Sequence, residues 1–268
     1  MKTFLLLTLC LSLTGSQFVL AEPEALYPEN LGVEVPPLAS DKSVRYDYDI
    51  VYVRTPRGGD HVGSLWSENA HPSLMDPAAD LVLMHPDGSE ETLVEGGADG
   101  AVTDPVVSLD GEWVFYSHVR GLEGTSQHGK FPKQGADIYK IQLKTREIVR
   151  LTDQRYTPNT GAADWASDFR SVEVGKTRIE HGVLNMGPCP LPGGRIVFTS
   201  SRDGFIPPKH PSPCQQLFVM DDDGGNVEKI GHMNLGMALH PVVLKDGRIM
   251  FSTLESQGLR SSLLWGLW

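Results

Sequence analysis

The sequence predicts an all-β fold, a β-propeller of four-stranded antiparallel blades, and three observations carry that expectation. A unit made of a Pro, a Gly six places later and an apolar strand with a fixed Phe recurs three times along the chain. After each copy comes a second unit that reads strand, polar turn, strand. Finally, the 268 residues include 28 Gly and 19 Pro, a density of turn formers that suits many short elements rather than a few long ones.

The first unit reads Pro105-Val-Val-Ser-Leu-Asp-Gly111 and then Glu-Trp-Val-Phe-Tyr-Ser117. Its second copy is Pro188-Cys-Pro-Leu-Pro-Gly-Gly194 with Arg-Ile-Val-Phe-Thr-Ser200, and its third is Pro241-Val-Val-Leu-Lys-Asp-Gly247 with Arg-Ile-Met-Phe-Ser-Thr253. Self-similarity at this level marks a repeat architecture. Asp-Gly or Gly-Gly supplies the positive φ that a tight hairpin demands. The alternating pattern puts Phe115, Phe198 and Phe251 on the second strand, facing the packing between blades. The second unit occurs as Asp80–Gly88, Asp137–Thr145 and Gln216–Gly225, each leading into another short strand. The two units together make four antiparallel strands, one blade.

On this reading residues 47–268 hold about three and a half blades. The first takes Asp49–Arg54 as an inner strand and closes with the Leu81 hairpin. The second spans about 101–152 and the third about 184–231. A fourth opens at Ala238 and reaches Ser262–Trp268, which resembles the start of another strand. A propeller needs at least four blades to close and a repeat array needs capped ends, so the expectation is a propeller incomplete at its C-terminal end and continuing past Trp268. The spacing between the second and third blades is stretched by Tyr156–Asn185, a long excursion or a short insert. Residues 22–46 read as an extended N-terminal arm.

The N-terminus indicates export. Lys2 is followed by the apolar run Phe4–Leu13, and Val19-Leu20-Ala21 forms a small-x-small cleavage site. Residues 1–21 are therefore expected to be a signal peptide. The alternative, a membrane anchor, is disfavoured because the apolar run falls short of the roughly 20 residues a span needs. The net charge of −11 repels phosphate backbones and argues against nucleic acid as partner. Of three cysteines, Cys10 leaves with the signal, and an exported chain with Cys189 and Cys214 is expected to pair them. Two buried thiols are the alternative.

The paired phrases, Pro-x-x-x-x-Asp-Gly with apolar-x-Phe-x-Ser and then Leu-x-x-Met-Asp-x-Asp-Gly, resemble the TolB-type, WD40-like propeller repeat of exported bacterial proteins. Two stretches, Gly100–Gly111 and Pro190–Arg202, together with Leu264-Trp265, are also similar to the group around the middle domain of the hydrazine synthase alpha subunit. That resemblance covers roughly Asp47 to the end. It implies a periplasmic or extracellular propeller, and in the group's enzymatic members a multihaem subunit. No Cys-x-x-Cys-His occurs in the sequence, so the cofactor reading is none evident in this segment, with haem entering only if the natural chain continues.

Propellers bind ligands at rim faces or at the central channel. Two hairpins are interrupted at equivalent places, after His118 and after Arg202-Asp203-Gly204. The first loop carries His128 and Lys130, and the second, stiffened by four prolines, carries Lys209 and His210. The sequence thus marks His118, His128, Lys209 and His210 as candidate binders of a protein or small molecule, against the plainer reading of stapled surface loops. His181, His210 and His240 are the candidate metal ligands, but without the local spacing that marks a zinc site. His61, His71 and His85 read as polar loop residues. Asp221–Gly225 looks like part of a calcium loop but lacks its downstream Glu, so it reads as a hairpin turn. No nucleophile motif, phosphate loop or zinc-protease motif occurs. The reading is a binding or scaffolding propeller, with a redox-subunit role as the alternative.

Overall fold

The computed structural model describes residues 40–41, 45–56, 77–122, 132, 134–153, 164–165, 176–177, 182–205, 214–233, 237–255 and 264–268. The chain divides into the units Met1–Val44 and Arg45–Trp268, and everything below concerns the second.

The fold class read from the repeats is the one found. The first sheet joins β1 (Ile50–Arg54), β2 (Asp80–Met84) and β3 (Glu90–Val94). The second is β4 (Gly100–Val107), β5 (Trp113–Arg120), β6 (Ala136–Gln142) and β7 (Ile148–Arg150), paired in chain order. Two short parallel strands, β8 (Asp164–Trp165) and β9 (Lys176–Thr177), fall within the long excursion. The third blade is β10 (Asn185–Leu191), β11 (Arg195–Ser200), β12 (Gln216–Asp221) and β13 (Glu228–Lys229), again in chain order. The fourth sheet holds β14 (Ala238–Val243), β15 (Ile249–Glu255) and β16 (Leu264–Leu267).

Two details differ from the sequence reading. The stretch taken as the first blade's inner strand, β1, pairs with β2 as β5 pairs with β6 and β11 with β12, so it holds the second position in its blade. Likewise the Pro of each unit does not begin a strand. The inner strands start upstream, and Asp104-Pro105, Gly187-Pro188 and His240-Pro241 form a bulge in the middle of each, where the pairing register shifts. A bulge frees one residue from the hydrogen-bond ladder, which is why a residue with no N–H is tolerated inside a strand. The residue before each Pro takes a positive φ: 53° at Asp104, 61° at Gly187 and 48° at His240.

The core lies between blades. Phe115, Ile138 and Leu151 of the second blade meet Ile196, Phe198, Phe218 and Met220 of the third. Phe198 and Phe218 are direct cross-strand partners with ring centroids 5.9 Å apart. Burying such a ring contributes roughly 1.5–3 kcal/mol. Leu81, Val102, Val114, Tyr116 and Ile141 join the first blade to the second, with Val51 and Val53 packed against them. Cys189, Val197, Leu217 and Ala238, with Phe251 against them, join the third to the fourth. The repeated Phe therefore does pack between blades. Backbone bonds add to the joints: Val102 N donates to Ala79 O at 2.9 Å, Ala136 N to Val183 O at 3.0 Å and Ala238 N to Gln215 O at 2.9 Å. At Gly135 the backbones come so close that an added Cβ would lie 2.2 Å from Val183 O.

Candidate functional site

The antiparallel meander sorts the connections by length. Turns between first and second strands, and between third and fourth, lie on one face and are tight, as at Ser108–Glu112 and Leu244–Arg248. The links between second and third strands leave the opposite face, and they are long: 55–79, 121–135, 201–215 and 256–263. Because fourth strands run parallel to second strands, the links into the next blade, 151–184 among them, depart from that same face. Hairpin loops usually have 2–5 residues. Among the described strands, the ends from which the long links depart thus share one face.

Of the residues singled out there, His128, Lys209 and His210 lie outside the described residues, as does His181. His118 is described, on β5, and it is buried. Its Nε2 lies 3.2 Å from Gly96 O, and Arg120 Nη2 is 3.4 Å from its Nδ1. The ring stands edge-on to Tyr139 at 6.0 Å. The carbonyl can only accept, so Nε2 donates, and the Arg120 guanidinium can only donate, so Nδ1 accepts; this is the neutral ring. Burial, then the Arg120 charge, lower its pKa. His118 thus fills the joint between the first and second blades.

At the base of the 201–215 link, Asp203 accepts a hydrogen bond from Lys229, whose ammonium also meets His232 Nδ1 at 2.6 Å. Phe205 stands edge-on to the same imidazole at 4.4 Å. These groups tie the start of the link to the outer edge of the third blade.

The expected Cys189–Cys214 bridge is not formed; both are buried thiols. Topology explains this. Cys189 is on β10 and Cys214 precedes β12, with β11 between them, so their backbones are at least about 9.5 Å apart. A disulfide needs Cα atoms within about 7 Å. Cys189 joins the cluster with Val197, Leu217 and Ala238, whereas Cys214 packs on Met237 and Leu239. Burial pushes the Cys189 thiol up and the Cys214 thiol up to about 12.

A polar constellation of which the sequence reading marked only His240, as a candidate metal ligand, lies where the inner strands β4, β10 and β14 neighbour one another. Asp104, in the β4 bulge, accepts hydrogen bonds at Oδ2 from Ser117 Oγ at 3.1 Å and Gly187 N at 3.2 Å. Its Oδ1 lies 3.4 Å from His240 Nδ1 in the β14 bulge. Ser117 also accepts from Gly187 N at 3.1 Å. One carboxylate therefore links three blades. The Asp side chain is 8% exposed and the His side chain 42%. For Asp104 and Gly187 the signal in the sequence was the Pro of each unit, whose preceding residue sits in the bulge. The order of groups is not that of a serine hydrolase, in which the imidazole lies between carboxylate and hydroxyl; here the carboxylate lies in the middle.

A second buried network joins the second and third blades. Asp137 accepts from Thr152 Oγ1 at 2.7 Å, Arg150 Nη2 at 2.6 Å and Asn185 Nδ2 at 3.2 Å. Asn185 Oδ1 in turn accepts from Arg202 Nη2 at 2.6 Å and Ser200 Oγ at 2.7 Å. The Arg202 guanidinium lies 5.1 Å from the Phe198 ring centre and 5.4 Å from that of Phe218. Burial pulls Arg202 down to about 10 and raises Asp137 against the pull of its donors.

Among the described residues no three His, Cys, Asp or Glu side chains gather into a metal cluster. No family model matches the chain and no curated protein matches it. Among solved structures it is similar to a TolB candidate from Agrobacterium tumefaciens, at 18% identity and TM-score 0.43, over 71% of this chain and 52% of that one. An oligogalacturonate lyase from Vibrio parahaemolyticus aligns at 15% identity and TM-score 0.39, over 71% and 45% respectively. Prolyl oligopeptidase B from Galerina marginata aligns at 9% identity and TM-score 0.43, over 82% and 24%. The chain spans about half the length of the first two and about a quarter of the third. Likeness at this level passes no activity to this chain, and the fold rests on the strand pairing described above.

Proposed function

We propose that this chain is an exported β-propeller binding module whose ligand-facing surface is the face of the long connections. One observation carries the reading: every long link between second and third strands leaves that face, while the turns described on the opposite face are all tight. Loops on a rigid scaffold are where binding residues concentrate. Lys2, the apolar run Phe4–Leu13 and the site at Ala21 support export. The partner is a protein or a small molecule, and the acidic surface disfavours nucleic acid.

A photo-crosslinking amino acid placed at Lys130 or Lys209, compared with one at Asp246 in a tight turn, tests this in the native host. Discrete adducts from the first two positions and none from Asp246 are expected. Equal labelling from both faces, or none from either, overturns the reading. Cell fractionation of the same strain reports export, with the mature chain starting at Glu22.

A second reading, a component of a multihaem redox subunit of the hydrazine synthase type, is supported only by the phrases Gly100–Gly111 and Pro190–Arg202. The intact mass and visible absorbance of the natural protein decide it. Mass beyond the polypeptide in multiples of a haem, with a Soret band, favours the redox subunit.

A further inference from the structure

We infer that the axial bulges of β4 and β14 form a binding site for a divalent first-row metal ion, with Asp104 Oδ1 and His240 Nδ1 as its protein ligands and water completing the shell. The inference concerns the axis and is independent of the loop face.

The geometry points this way in four respects. First, the two donor atoms come from different blades and approach to 3.4 Å, which is long for a charge-assisted hydrogen bond. It is, however, the separation of two adjacent ligands each about 2.1 Å from one tetrahedral ion. Second, the Asp104 carboxylate is already oriented. Its Oδ2 is held by Ser117 and Gly187, leaving Oδ1 directed at His240, and outer donors of this kind fix metal-binding carboxylates. Third, both ligand residues adopt left-handed backbone immediately before a proline, a costly conformation for a non-glycine residue that concentrates at functional sites. Fourth, Thr103, next to Asp104 and 3% exposed, has a hydroxyl with no hydrogen-bond partner among the described residues. Thr103 is the cross-strand partner of Ser117, so the two side chains share a face of the sheet. A metal-bound water there would give that hydroxyl its partner.

An imidazole and a carboxylate together suit Zn²⁺, Mn²⁺ or Co²⁺. Mg²⁺ dehydrates reluctantly and prefers oxygen, so it should compete poorly. The full untagged chain is titrated with Co²⁺, following the visible d–d absorption, and then with Zn²⁺ as competitor. One Co²⁺ per chain is expected, displaced by Zn²⁺ and not by equimolar Mg²⁺. His240→Gln should weaken binding at least tenfold. Ser117→Ala, which removes only an outer donor, should weaken it about tenfold. His85→Gln and His232→Gln report on surface imidazoles, and their affinities should equal that of the parent chain. Circular dichroism melts of each variant separate loss of the site from loss of the fold. No saturable Co²⁺ band, or equal weakening in the surface variants, overturns the site.

Discussion

Asp104 on the second blade and His240 on the fourth meet at 3.4 Å, although a whole blade separates their strands. The same carboxylate holds the Gly187 amide of that intervening blade. Asp104→Ala strips partners from a buried amide and a buried hydroxyl, each worth about 1–3 kcal/mol when orphaned, and it puts alanine at φ 53°. The expected loss is about 2–4 kcal/mol in urea denaturation. Asp104→Asn keeps a side-chain acceptor and tolerates left-handed backbone, so it should lose about half as much. Equal, small losses in both variants would show that the carboxylate does not join the blades.

Arg202 is held between two aromatic rings and bonded to Asn185 and Ser200. Removing the guanidinium takes a buried donor from the Asn185 amide oxygen and the Ser200 hydroxyl, at a cost of about 1–3 kcal/mol. Arg202→Ala should fall in that range by chemical denaturation. Arg202→Lys should recover little, since a point charge cannot reproduce the planar fork that reaches both partners while lying on the rings. Full recovery by Lys would reduce the residue's role to charge alone.

The difference between what could be read in advance and what could not is physical. Phe115, Phe198 and Phe251 recur at one offset because every blade must fill the same gap, so periodicity exposed both the strands and their buried face. Asp104, Gly187 and His240 occupy equivalent places but differ in side chain, so no repeated letter marked the three together; what repeats is a positive-φ bulge conformation ahead of a Pro. Pairing Cys189 with Cys214 failed because counting cysteines carries no distance, whereas β11 between them sets one. His118 looked like a loop residue because it lies near the end of a strand before a long link. The joint with Gly96 that buries it belongs to the neighbouring blade, which no local pattern reports.

Cys189 and Cys214 should both react as thiols. Burial holds the Cys214 thiol up at about 12, so almost no thiolate exists at neutral pH, and the thiolate is the reactive form. Alkylation by iodoacetamide should be slow in the folded chain starting at Glu22 and rapid in guanidinium, giving two adducts by mass without any reductant. Unmodified chain in guanidinium, alkylated only after reduction, would instead establish the bridge.

His118 gives the fold an acid-sensitive joint, and the sign follows from its surroundings. Burial and the Arg120 guanidinium lower its folded pKa below the ordinary 6.5, while Gly96 O and Asp99 oppose them. Between that lowered value and 6.5 the unfolded chain binds more protons than the folded one, so stability rises with pH across the window and is lost as pH falls below 6.5. The charged ring would confront Arg120 across the 3.4 Å contact at Nδ1. His118→Gln keeps a donor able to reach Gly96 O and has nothing to titrate. Its melting temperature should stay flat between pH 7 and 5 after carboxylate effects common to both chains are subtracted. The parent chain should lose stability over the same range. Parallel curves for the two chains would place the pH response outside His118, with Asp137 the next group to test. Its raised pKa acts in the opposite sense: the folded state takes up a proton before the unfolded one does, so acidification through that value favours the fold. A parent chain that gains stability on acidification where His118→Gln gains as much would therefore identify the Asp137 network, and not His118, as the pH-responsive joint between blades.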